Sequence, residues 1–209
     1  MRRLEAVAAL ALPLLWSNRI LPALDLRLRG RTAANIAFAT GYTKLFRGSP
    51  NWLSPSGFRW GFGSAAVVVA GYAVALSIPS LRRLPLEIAV RAPETSTLEW
   101  IGLHIPVGTV LAEEAVFRGT LDPVLAESAG SSAPVISALD FGLWHIRPAR
   151  AAGDPVAPTV LATTLAGLVF TELRRRSGSA TAPALLHLTI NAGGALAPAA
   201  ARWVDGLRQ

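Results

Sequence analysis

Long apolar runs separated by short basic clusters set the pattern of this chain. The clearest run, "GFGSAAVVVAGYAVALSIPSL" at residues 61–81, is uncharged and ends at Arg82 and Arg83. A membrane helix needs about 20 mostly apolar residues, or somewhat fewer where polar groups face a protein interior. By that measure further helices are expected at residues 4–24, 32–46, 97–125, 133–146, 156–173 and 180–203. The pattern therefore predicts an all-α fold, a polytopic transmembrane bundle of about six or seven membrane helices. The longest polar segment, residues 82–100, reads as a loop or interfacial helix and divides the chain. Residues 1–96 are expected to hold N-terminal membrane helices and a connecting loop, and residues 97–209 a helical core containing all three histidines.

Composition supports that class. Of 209 residues, 52% are apolar and 16% charged, against the roughly 25% charge of an ordinary soluble domain. The mean hydropathy is +0.42. The net charge of +7 raises the question of nucleic acid, which would need a basic face on a polar domain. Here the arginines stand between apolar runs, in "LRLRGR" (residues 26–31), "SLRRL" (80–84), "RPAR" (147–150) and "ELRRRSG" (172–178). That is the habit of loops beside anionic lipid, so the expected partner is the bilayer and no nucleic acid. Lys44 is the single lysine, and Ala, Gly and Pro abound, a bias that points to a GC-rich bacterial genome. The expected location is accordingly the bacterial cytoplasmic membrane. The start, "MRRLEAVAALALPLLW", shares the basic and apolar parts of a signal peptide but lacks a clean small-residue cleavage site, so a first membrane helix is expected.

Against this background "EEAVFRG", residues 113–119, stands out. Each charge at mid-membrane costs roughly 3 kcal/mol on insertion scales, so such a group marks a functional site. Glu114 and Arg118 are four apart and share a helix face, in the order that favours a pair. Glu113 is turned about 100° away and has no partner in its own helix, which leaves it free to take a proton from water. Two more polar pairs repeat the spacing of four: Phe141 with His145, and His187 with Asn191. Gly193 and Gly194, just beyond, would permit close helix contact. If the helices pack together, Glu113, His145, His187 and Asn191 converge on one polar cavity. A carboxylate and an imidazole can activate water there, while a second imidazole and an amide can donate to an oxyanion. His104 has no polar partner at that spacing and reads as structural. Cysteine is absent, which removes thiolate nucleophiles and Cys-bound metals.

The order EExxxR, FxxxH, HxxxN on successive membrane helices resembles the CPBP family of intramembrane glutamic endopeptidases, also called the CAAX protease, bacteriocin-processing or ABI family. The motifs here are "EEAVFR", "FGLWH" and "HLTIN", with Gly119 after the arginine, and the resemblance spans residues 97–203. It implies that Glu113 activates the attacking water with help from His145. His187 and Asn191 would be the oxyanion pair, Glu114 and Arg118 the supporting pair that orders the site, and Phe141 the motif aromatic. It also implies a bundle around a cavity reachable from the membrane and from one aqueous side. The expected substrate is a membrane-associated protein or peptide, with prenylated CAAX-like termini as one class. Two features depart from the pattern: Asp140 stands where an apolar residue is more usual, and the N-terminal half carries no matching motif.

Other chemistries compete with this expectation. Glu113, His145 and His187 can supply a two-histidine, one-carboxylate zinc site. No HExxH is present and the resemblance implies metal-free catalysis, so no cofactor is expected. No GxSxG is found, and Ser128, Ser131, Ser132 and Ser137 have no base at helical spacing. A non-catalytic binding or immunity protein, or a small proton-coupled transporter, would keep the same polar residues. A transporter would more often show paired repeats with broken helices, which this sequence lacks.

Overall fold

The computed structural model describes residues 2–83 and 95–206. Most of the polar segment expected between the two halves falls outside these residues. Within them every regular element is helical. Helix α1 covers residues 2–23, formed by Arg2–Leu15, a wide π turn at Trp16–Ile20 and a last turn at Leu21–Ala23. Then come α2 (Leu28–Leu45) and α3 (Pro55–Ser77), with a short turn of helix at Pro79–Arg82. Helix α4 runs through residues 97–129, with π-helical stretches at Trp100–Leu111 and Phe117–Leu121 on either side of Ala112–Val116. The rest are α5 (Ala133–Trp144), α6 (Ile146–Ala152), α7 (Val156–Ser177) and α8 (Thr181–Gly206).

Local chemistry sets the helix starts. Ser54 accepts a hydrogen bond from the Gly57 N–H ahead of α3, and Ser96 one from the Glu99 N–H ahead of α4. Each satisfies an N–H that the first turn leaves unpaired. Pro55 occupies the first position of α3, where its missing N–H costs nothing.

Four helices among the described residues are long and apolar enough to cross a membrane: residues 4–23, 55–77, 156–177 and 181–206. The bundle expected from the sequence stands, but its other helices are shorter or more polar than free-standing spans. Helix α2 carries Arg29, Arg31 and Lys44, α4 carries the charged motif, and α5 has only 12 residues. The charged part of α4 and most of α5 are buried, where neighbours and not lipid surround them, whereas α2 buries only Ala39 and Tyr42. Long outer helices turn apolar side chains outward instead. Phe62, Val67 and Val74 of α3 and Leu161, Leu165 and Val169 of α7 are exposed, a surface that lipid would cover.

Helix α3 packs along α8, α5 along α7, and α2 along α4. The contact of α3 with α8 depends on Gly193, because a Cβ there would stand 2.3 Å from the Tyr72 ring. That is the close approach expected of the glycines after Asn191. The N-terminal helices reach the centre through stacked aromatics. Trp16 lies on Phe38 with centroids 4.6 Å apart, and Phe38 meets Trp144 at 6.4 Å. Tyr42 donates to the Ala9 carbonyl at 2.8 Å, joining α2 to α1. His104 is buried, with one ring nitrogen 2.7 Å from Thr32 Oγ1 and the other 3.1 Å from Glu99 Oε1. It thus ties α4 to α2, the structural part read for it from sequence.

Candidate active site

The polar residues of α4, α5 and α8 meet in the middle of the bundle. Glu113 is 6% exposed, and its Oε1 accepts a hydrogen bond from Trp144 Nε1 at 3.2 Å. Its Oε2 accepts none from a described residue and stands 4.0 Å from Nε2 of both His145 and His187. Those gaps are too long for direct hydrogen bonds and of the length that one bridging water spans. Two imidazoles and one carboxylate oxygen thus face a common point.

Each ring is held from behind. His145 closes α5 at the corner leading into α6, where its Nδ1 lies 2.7 Å from the Phe141 carbonyl. A carbonyl can only accept, so Nδ1 carries the proton and Nε2 presents a lone pair toward Glu113. His187 Nδ1 lies 2.8 Å from Glu114 Oε1, so its Nε2 is likewise the atom turned to Glu113. The Phe170 ring of α7 stacks on His187 at 4.9 Å and 24°, which fixes the plane of the imidazole.

Behind Glu114 sits Arg118, fully buried. Its Nε is 3.6 Å from Glu114 Oε2, and its Nη2 donates to the Gly167 carbonyl at 3.2 Å. The guanidinium lies over the Phe141 ring at 4.3 Å and the Phe170 ring at 5.0 Å. Aromatic faces replace part of the hydration that burial removes from the cation. The π turn at Phe117–Leu121 begins at this point, and wide turns of that kind recur at functional sites. Gly119 sits inside it because a Cβ would stand 2.9 Å from Pro50, whose neighbour Ser49 donates its N–H to the Gly119 carbonyl at 2.8 Å. The motif glycine therefore admits the loop before α3.

Asn191 lies one turn beyond His187 on α8, partly exposed, with no hydrogen bond from its amide to a described residue. Asp140 is buried on α5, and its Oδ2 accepts no hydrogen bond from a described residue. Trp144, Phe170 and Gly167 are site residues that helical spacing did not single out. Trp144 lies inside the "FGLWH" motif, and an indole N–H on a membrane helix was the available signal. Among the described residues no three His, Asp or Glu side chains form a group able to hold a metal ion.

An apolar groove of about 600 Å³ runs beside the site, between α2, α4 and α8. Ala112 and Ala115, flanking the two glutamates, and Ala184 and Leu188, flanking His187, form part of its wall.

Residues 95–193 match the family model described as type II CAAX prenyl endopeptidase Rce1-like. This is the family that the three motifs resemble, and the matched stretch holds Glu113, Glu114, Arg118, Phe141, His145, His187 and Asn191. The stretch is similar to the Rce1-like family. No curated protein and no solved structure matches the chain. The four apolar helices and the matched family together support a membrane protein, and the family supports a protease acting on a protein substrate at the membrane.

Proposed function

We propose that the protein is an intramembrane glutamate-dependent endopeptidase of the bacterial cytoplasmic membrane. The observation that carries this reading is the single oxygen, Glu113 Oε2, facing the Nε2 atoms of His145 and His187 at 4.0 Å each. Water bound among these three groups gives up a proton to the Glu113–His145 pair as its oxygen attacks the scissile carbonyl. The carbonyl becomes an oxyanion, stabilised by His187 and by a hydrogen bond donated by the Asn191 amide. The C–N bond then breaks as the proton taken from water passes to the leaving amine. No covalent intermediate and no metal takes part.

The apolar groove beside the site suits an apolar or lipid-modified segment, so prenylated C-termini are the substrates of first choice.

The test is cleavage of a diverse peptide set, with and without prenylated C-termini, by the purified protein in liposomes. Cleavage is expected, with prenylated peptides preferred and the rate unchanged by a chelator. Loss of activity with chelator, restored by zinc, would assign the chemistry to a metal. Failure to cut every peptide would favour a binding or transport role. Trp144 orients Glu113 in this reading, so Trp144→Phe, which keeps an aromatic ring, should lower kcat about tenfold or more with KM little changed. Parental kcat in that variant would remove Trp144 from the mechanism.

A further inference from the structure

Three exposed arginines with no acidic partner among the described residues line one cavity beside the corner that follows His145. Arg19 comes from the end of α1, and Arg147 and Arg150 from α6. They share a space of about 640 Å³ whose remaining wall is largely apolar, formed by Leu14, Leu15, Pro22 and Ile146. Three like charges around one cavity repel each other unless an anion lies between them. Guanidinium groups bind phosphate oxygens in pairs of parallel hydrogen bonds, so a phosphate is the fitting anion.

Position narrows the ligand further. The first apolar span covers residues 4–23, so Asn18, Arg19 and Pro22 fall in its last turns, at the level of lipid headgroups. Leu15, Ile20 and Leu24 of the same stretch are exposed, which continues the apolar wall outward to where acyl chains lie. A free phosphate would use the arginines and leave that wall unused. A lipid uses both.

We propose that this cavity binds the phosphate headgroup of an anionic glycerophospholipid, with an acyl chain lying along the end of α1. The floor of the cavity is also tied to the site. Asn18 Nδ2 donates to the Leu143 carbonyl at 3.1 Å, its Oδ1 accepts from the Arg147 N–H at 2.9 Å, and Ser17 Oγ donates to the Trp144 carbonyl at 2.7 Å. The bound lipid thus sits against the residues that bracket His145.

Native mass spectrometry of the detergent-solubilised protein, titrated with phosphatidylglycerol, phosphatidylcholine or glycerol 3-phosphate, tests this without any assay of cleavage. The parent is expected to retain one phosphatidylglycerol with at least a tenfold preference over phosphatidylcholine. The triple variant Arg19→Gln, Arg147→Gln, Arg150→Gln should fall to near parity. A variant with Arg31, Arg59 and Arg202 changed to Gln, three exposed arginines elsewhere, should keep the preference. Should the triple variant fail to fold, Arg19→Gln and Arg150→Gln singly should each lower the preference several-fold. No preference in the parent, parental preference in the cavity variants, or equal loss in both triple variants would overturn the proposal. Competition by glycerol 3-phosphate at the same concentration as the lipid would overturn it in favour of a free-anion site.

Discussion

Glu113→Gln is expected to abolish peptide cleavage while the protein still folds and runs as the parent does in size-exclusion chromatography. The amide keeps the shape of the side chain, and its oxygen can still accept from Trp144 Nε1, now 3.2 Å from Glu113 Oε1. What it loses is basicity. A general base contributes about 10²–10⁴ in rate, so kcat should fall by at least that factor, with KM close to the parental value. His145→Ala tests the partner in the same assay, because removing an imidazole that shares the proton should lower kcat on its own. Changes in groups that act as a unit do not add, so the double variant should be little worse than Glu113→Gln alone. Near-normal cleavage by Glu113→Gln would remove Glu113 from the role of base and shift attention to the histidines.

Much of this site was legible because polar side chains on apolar helices are scarce. Glu113, Glu114, Arg118, His145, His187 and Asn191 stand within the apolar runs of the later helices, and spacing of four sets Glu114 with Arg118, Phe141 with His145 and His187 with Asn191 on one face each. Spacing within a helix says nothing of its neighbours, however. Spacing pairs Glu114 with Arg118, yet its shorter contact is 2.8 Å to His187, 73 residues on, against 3.6 Å to Arg118. Phe170 reads as one more apolar residue of a membrane helix until it is seen stacked on His187. Ser17 and Asn18 carry no motif, and they hold the backbone around His145 through bonds spanning about 125 or more residues. The number of spans was less legible for a related reason. Hydropathy measures fitness for lipid, and the middle of α4 and much of α5 are buried among other helices.

The second large effect is expected from Arg118→Ala, on stability as well as activity. The side chain is fully buried and fills the space between Phe117, Phe141 and Phe170. Truncation opens a cavity there and strands the Glu114 carboxylate, itself fully buried, without its cation. Breaking a buried pair on one side costs about 3–5 kcal/mol, because the remaining charge has neither water nor partner. A thermal melt in detergent should therefore fall well below the parent, and cleavage should be lost as Glu114 ceases to hold His187 Nδ1. The double variant Glu114→Gln, Arg118→Met separates the two consequences. With both charges gone and much of the volume kept, most of the stability should return. Activity should not return, since the neutral amide is a weaker anchor for the His187 ring. If Arg118→Ala melts with the parent, neither the ion pair with Glu114 nor the packing of Arg118 among the three rings stabilises the fold.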